Sequence, residues 1–346
     1  MQATVERCGI TAAGNWIVDC VKTVDRLPGR GMLANVLSQS RSTGGAAANV
    51  LLDLARLGCN FPLSGLGVVG RDADGDLIIA TARNAGIDVS RVVRTTEAPT
   101  SYTDVMAEAT TGDRSFFHCR GANALFGPEH VDIAALRCRI FHLGYLLLLD
   151  RFDQPHPETG TVAAALLRDL QAVGIKTSVD VVSEESDRFR ALVPPALRYV
   201  NYLLLNEIEA SRVTGLPVRD TSGRLLAEGV VAAAEALCRL GETELVAVHM
   251  PEGVYLRTRS GEKLSLGACA LPPGFVRGTV GAGDAFCAGM LYGLHEGWDL
   301  ARAADLGICS ATACLAHPTA SDGLAPVAEV VSLAARFPRR TPPVRV

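Results

Sequence analysis

Gly278-Thr279-Val280-Gly281-Ala282-Gly283-Asp284 runs straight into the small, apolar stretch Ala285-Phe286-Cys287-Ala288-Gly289-Met290-Leu291. Small residues let a backbone approach a ligand closely, and the unpaired N–H groups at a helix start form an anion site. A phosphate suits such a site. A carboxylate at Asp284 beside it has the chemistry to accept a hydroxyl proton as a phosphoryl group arrives. On spacing alone the same residues equally describe a tight turn whose aspartate merely favours a helix start.

Two other groupings carry polar chemistry. Asn206 and Glu209 stand one helical turn apart, so both side chains can reach one crevice. An amide and a carboxylate suit magnesium as inner- or outer-shell partners, because that ion keeps waters and substrate phosphates as its remaining ligands. Gly44-Gly45-Ala46-Ala47-Ala48-Asn49 opens an amphipathic run over 50–57 that stops at Gly58. Paired glycines permit close contact with a polar ligand, and Asn49 offers hydroxyls both a donor and an acceptor. A solvated helix start and a flexible helix entry are the plainer readings of these two patterns. Arg120 precedes Gly121-Ala122-Asn123; its planar fork suits a phosphate or carboxylate on an acceptor molecule, or simply faces solvent. Gly65-Leu66-Gly67-Val68-Val69-Gly70 matches the dinucleotide pattern G-x-G-x-x-G. The polar, turn-rich Arg71-Asp72-Ala73-Asp74-Gly75-Asp76 follows where that pattern requires an apolar helix. No G-x-x-x-x-G-K-[ST] phosphate loop occurs.

The elements that must position these residues alternate. Segments 161–173 and 225–240 read as helices, each stopped by glycine (Gly174, Gly241) and followed by β-branched strands over 175–179 and 244–248. Alternation of this kind predicts an α/β fold with a mainly parallel sheet and helices on both faces. In such sheets ligands gather outside the carboxyl ends of the strands. Three strand ends therefore stand out: 202–205 before Asn206, 176–179 before Asp180, and 275–280 before Gly281. Two stretches break the alternation, 17–42 and 98–120. The second carries a turn at Thr111-Gly112-Asp113, and both read as strands outside the main sheet, forming a small lid. Residues 337–346, rich in proline and arginine, read as a loose tail after a domain spanning 1–336.

Bulk properties exclude several function classes. With 48% hydrophobic but only 5% aromatic residues in 346, the core must be built from Ala, Val, Leu and Ile. The net charge of −4 supplies no basic field, so nucleic acid is not an expected partner. Neither a leader nor an apolar run long enough to span a bilayer is evident, which predicts a cytoplasmic protein with no membrane partner. Ten scattered cysteines without a C-x-x-C pair read as reduced core residues, and seven dispersed histidines give no structural metal site.

In this order, the motifs resemble the ribokinase-like (PfkB) carbohydrate kinase family across roughly residues 7–330. Gly14-Asn15-Trp16-Ile17-Val18-Asp19 is similar to that family's first strand and substrate-binding aspartate. Gly44-Gly45 with Asn49 is similar to its di-glycine sugar motif, and 69–75 to its V-G-x-D-x-x-G turn. Gly121-Ala122-Asn123, Asn206-Glu207-Ile208-Glu209 and Gly281–Asp284 complete the match. The resemblance implies a Rossmann-like αβα sandwich with a small β lid, and a kinase that transfers the γ-phosphoryl group of ATP to a hydroxymethyl group of a sugar. A nucleoside kinase of the same family and, further off, a binding protein without turnover are the alternatives. By the same resemblance Asp284 is the base, and Gly281, Ala282 and Gly283 form the anion hole. Asn206 and Glu209 organise Mg2+ and phosphate, while Gly253 and Thr279 contact the nucleotide. Asp19, Gly44, Gly45, Asn49, Arg120 and Asn123 receive the acceptor, and a homodimer formed through the lid is expected. Two departures stand out. Gly278 replaces the family's usual Asp or Asn, which argues against potassium activation. His249-Met250-Pro251-Glu252 replaces a glycine-containing turn before Gly253.

Overall fold

The computed structural model describes residues 7–111, 114–182 and 188–346. Gly112 and Asp113 of the expected lid turn lie outside them. A nine-stranded sheet forms the centre, in the spatial order Lys263–Gly267, Gly253–Thr258, Leu245–Met250, Tyr202–Asn206, Lys176–Val181, Ile140–Leu146, Ile10–Gly14, Leu63–Gly70, Asp88–Thr95. All neighbours pair in parallel except at one edge, where Gly253–Thr258 runs antiparallel to both of its neighbours. A strand covered on both faces has no side to give to water, so Ile140, Phe141 and Leu143 are wholly buried, as are Leu203 and Leu205. Two apolar cores result, one on each face. Both are built mainly from Ala, Val, Leu and Ile, as the low aromatic content requires.

A second, four-stranded sheet takes its strands from the two stretches that interrupt the alternation, in the order Val36–Gly44, Ile17–Val24, Ser101–Glu108, Arg114–Cys119. Trp16 locks its root to the main sheet. The indole, 1% exposed, donates from Nε1 to the Leu66 carbonyl at 2.9 Å. A Cβ at Gly65 or Gly67 would stand 2.4 or 2.2 Å from that ring. The first two glycines of the dinucleotide-like pattern thus lie inside a strand and make room for tryptophan.

Two expectations are corrected. Segment 275–280 forms no strand: Pro272, Pro273, Gly274 and Gly278 punctuate it, and it crosses the sheet end as a loop, Arg277 N bonding to Leu315 O at 2.8 Å. The segment 337–346 is not loose. Ala270 N bonds to Pro338 O and Arg340 N to Ala268 O, each at 2.8 Å, and Phe337 and Val344 are buried. Lacking donors for a ladder of its own, the proline-rich chain end borrows the edge of 268–270.

Candidate active site

Because the central strands are parallel, their carboxyl ends meet on one side, bringing Tyr145, Asp180, Asn206 and His249 to a common rim. Opposite them the helix Ala282–His295 begins. Its N-cap, Gly281, takes the left-handed conformation (φ 81°), and a Cβ there would lie 2.6 Å from Ala320. Only glycine turns the chain into the helix at this point. The first-turn amides have no intrahelical acceptor and face the rim, the arrangement that holds anions.

Asp284, in the first turn, is 4% exposed. Asn49 Nδ2 donates to its Oδ2 at 2.7 Å, and the Tyr145 hydroxyl lies 3.1 and 3.2 Å from its two oxygens. Burial pushes the Asp284 carboxyl up, opposed by hydrogen bonds from Asn49, Asp180 and Tyr145. Burial, then the charges of Asp284 and Glu209, push Asp180 far higher. Two buried carboxyls this close do not both ionise readily. Asp19 is raised to about 7, by burial first and then by Asp284. Gly44 makes room for it, since a Cβ there would stand 2.1 Å from Asp19 Oδ2. Gly45 (φ 92°) opens the helix Ala46–Arg56, which carries Asn49. Asn49 spends its donor on Asp284 and leaves its buried Oδ1 without a protein partner. An orphaned buried acceptor costs about 1–3 kcal/mol unless a ligand hydroxyl supplies the bond.

Asp284, Gly281 and Gly283 line a cavity of about 380 Å³ together with Asn206, Glu209 and Thr279. Asn206 and Glu209 form a reciprocal cap: Asn206 Oδ1 accepts from Glu209 N at 2.9 Å, and Glu209 Oε2 accepts from Asn206 N at 3.0 Å. The helix-start reading of this pair is thus correct, and both residues also border the cavity. A second cavity of about 630 Å³ adjoins the first, lined by Ala282 and Gly253 among others. The two share Asn206, His249, Thr279 and Gly283. The unusual turn before Gly253 is pinned from outside by Arg219, whose Nη2 pairs with Glu207 at 2.7 Å and with Glu252 at 2.8 Å. Burial holds His249 down near 4, so its ring is neutral at physiological pH.

Arg120 is paired within the fold: its Nη1 bonds to the Leu147 carbonyl at 2.9 Å and to Asp150 at 2.7 Å. This pairing occupies one nitrogen of the fork. Asn123 is wholly buried in the turn Gly121–Leu125, its Oδ1 accepting from Trp16 N at 3.2 Å and its Nδ2 unpartnered. Sequence reasoning gave no role to three contributors. Tyr145 and Asp180 sit at strand ends, where the carboxyl-end rule points, but no motif marks them. Arg114 of the small sheet reaches Thr279 Oγ1 at 3.4 Å, across 165 residues of sequence.

Solved structures share this architecture. Ribokinase from Giardia lamblia superposes with a TM-score of 0.77 at 20% identity, covering 96% of this chain and 99% of that one. Arabidopsis thaliana ribokinase complexed with ribose and ATP gives 0.76 at 21% identity, covering 94% and 98%. The fold is that of ribokinase. The family model for pfkB family carbohydrate kinases matches residues 9–326, and the chain belongs to that family of ATP-dependent sugar kinases. Among curated relatives, an ATP-dependent ribose-1-phosphate kinase of Halopiger xanaduensis is 29% identical over 335 residues, 95% of this chain and 99% of the relative. A 5-dehydro-2-deoxygluconokinase of Shouchella clausii is 25% identical, covering 86% and 87%. Among the described residues no helix is long and apolar enough to cross a membrane.

Proposed function

We propose that the protein transfers the γ-phosphoryl group of ATP to a hydroxymethyl group of a sugar or sugar derivative, with Asp284 as the base. The observation that carries this reading is Asp284 itself: a buried carboxylate in the first turn of a glycine-headed helix, held by Asn49 and Tyr145. The larger cavity takes the nucleotide, and its phosphates lie along Thr279 toward the amides of Gly281, Ala282 and Gly283. The acceptor lies against Asp19, Gly44, Gly45 and Asn49, with Asn123 fixing the root of the lid. Asp284 accepts the hydroxyl proton as the oxygen begins to bond to phosphorus. A carboxylate is a weak base for an alcohol, so the transfer is late and positioning does most of the work.

The donor set fits magnesium. Asn206 and Glu209 offer hard oxygen ligands beside Asp180, and no group of three or more His, Cys, Asp or Glu among the described residues makes an all-protein cage. That matches an ion bound through few side chains, waters and phosphates. Magnesium bound there with ATP would neutralise charge on the transferring phosphoryl group.

A nucleoside acceptor is the second reading. Phe116 of the small sheet faces the catalytic cavity and offers a ring on which a base can stack. ATP consumption measured across pentoses, sugar phosphates, sugar acids and nucleosides separates these outcomes. Turnover with a sugar or sugar phosphate supports the proposal, turnover confined to nucleosides moves it to the second reading, and binding without turnover overturns both. Leu37 and Phe117 on the small sheet are 59% and 60% exposed. Pairing of two copies through this sheet is part of the proposal, and light scattering on the eluting protein checks it.

A further inference from the structure

The larger cavity has one feature that nucleotide binding does not use. Cys269 forms part of its wall. Behind that thiol stands Cys309, from the helix Leu300–Leu315. Arg339 spans the pair, its Nη1 reaching Cys269 Sγ at 3.4 Å and its Nη2 reaching Cys309 Sγ at 3.5 Å. An ion pair with Asp305 holds the guanidinium from one side. The backbone bonds that lace 338–340 to 268–270 hold it from the other. Thr312, also on the cavity wall, donates its hydroxyl to the Ile308 carbonyl at 2.9 Å. Cys269 is 3% exposed and Cys309 0%, so the cavity is the approach to the first thiol and the first thiol is the approach to the second.

Scattered core cysteines do not require this arrangement. One guanidinium bridging two sulfurs stabilises a thiolate, and the second thiol, held by the same guanidinium, stands in place to attack it once it is oxidised. We infer that Cys269 and Cys309 form a hydroperoxide-reactive dithiol, and that closing it to an intrachain disulfide weakens nucleotide binding. The second half of this inference rests on the larger cavity holding ATP; the first half does not.

The neighbouring Cys309, then Thr312 and the charge of Arg339, outweigh burial and Asp305 and bring Cys269 down to about 6. Cys309 is pushed far up, chiefly by Cys269. The guanidinium beside both sulfurs favours a thiolate on one of them, and the cavity-facing Cys269 is the one a peroxide reaches. The Cys269 thiolate attacks an oxygen of the hydroperoxide. The O–O bond breaks, the leaving oxygen takes a proton and departs as water or alcohol, and a sulfenic acid forms on Cys269. Cys309 then attacks that sulfur: the S–S bond forms, the S–O bond breaks, and hydroxide leaves as water with the Cys309 proton. Two electrons pass from the two sulfurs to one peroxide.

Disulfide formation draws the sulfurs to about 2.05 Å, pulling the cavity wall at Cys269 toward the helix that also supplies Ile308, Ala311 and Thr312 to that wall. It also leaves Arg339 with Asp305 as its anionic partner in place of the thiolate, and the neighbouring Arg340 lines the same cavity.

The test uses the full-length protein with hydrogen peroxide near neutral pH, followed by alkylation, intact mass and peptide mapping. The expected result is a Cys269–Cys309 crosslink, reversed by dithiothreitol and suppressed when ATP is present. A fluorescent ATP analogue should lose affinity by about tenfold or more on oxidation and regain it on reduction. Cys309→Ser, which replaces a thiol outside the cavity wall, should bind the analogue as the reduced wild type does. Peroxide should leave that variant with a dimedone-trappable sulfenic acid on Cys269 and no crosslink. Recovery of both thiols free while the exposed Cys8 is oxidised overturns the dithiol. A crosslink that leaves analogue affinity within about twofold overturns the control of nucleotide binding. If the reduced protein fails to bind the analogue at all, the nucleotide reading of the cavity is what fails, and the crosslink map still decides the chemistry of the pair.

Discussion

Met250, Pro251, Leu271 and Val276 wall the larger cavity, whereas Asp180, Glu209 and Asp284 wall the smaller, although Thr279 and Gly283 face both. An apolar wall gains free energy by covering a flat ring and tolerates changes of shape at modest cost. Buried carboxyls do the opposite. Each loses hydration and repels the next, which raises Asp19, Asp180 and Asp284 together. A fold keeps such a cluster against its own stability where chemistry uses it. The contrast separates binding from turnover: changes in the apolar cavity should move the affinity for ATP, and changes in the acidic one should move the rate.

The largest effect that breaks this division is expected at Gly281, which belongs to the acidic side. Gly281→Val places a side chain against Ala320 at a left-handed position and tilts the first-turn amides. Turnover should fall by about 10²–10³-fold, as for a lost oxyanion donor. Circular dichroism and thermal melts on the same sample check that the chain stays folded.

How far the sequence anticipated this site differs between the same two regions. Gly281, Ala282, Gly283, Asp284, Asn206 and Glu209 were legible because each is a local pattern whose residues act within one turn of chain. The parallel sheet was legible through glycine-stopped helices followed by β-branched strands. Tyr145 was not, and Asp180 stood out only as a strand end, because their roles exist only where strands distant in sequence end side by side. The pairing of Arg120 was hidden for the same reason: its partner, Asp150, lies 30 residues away and no spacing announces it. The loop at 275–280 was read as a strand because its apolar residues imitate one. They pack instead on the chain end, Phe275 meeting Phe337 at 5.0 Å.

A smaller effect sharpens the comparison at Tyr145. Its hydroxyl stabilises the charged form of Asp284, so Tyr145→Phe removes a donor and moves the Asp284 pKa upward. A base must be ionised to act, so activity is lost as pH falls through that pKa, and the acid limb of kcat/KM should shift to higher pH in the variant. The rate at the optimum should drop by only about three- to tenfold. A purely structural tyrosine would lower the rate and leave the limb in place.

The smallest effect concerns potassium. Gly278 has no side-chain oxygen, and the space a side chain would need is filled by His317 and Pro318, whose atoms lie from 2.6 Å from a Cβ built there. Exchanging potassium for a bulky organic cation at constant ionic strength should change initial rates by less than about tenfold, with the helix-start amides carrying the anion stabilisation. A larger gain with potassium would show that carbonyls or water restore the cation site.

The central claim, that the acidic cavity does the chemistry and Asp284 is its base, is tested most directly by Asp284→Asn with two readouts on one sample. The account predicts turnover lower by about a hundredfold or more, with affinity for the fluorescent ATP analogue unchanged within about threefold, because the adjoining cavity is untouched. Turnover within about threefold of wild type, at saturating acceptor, would contradict it.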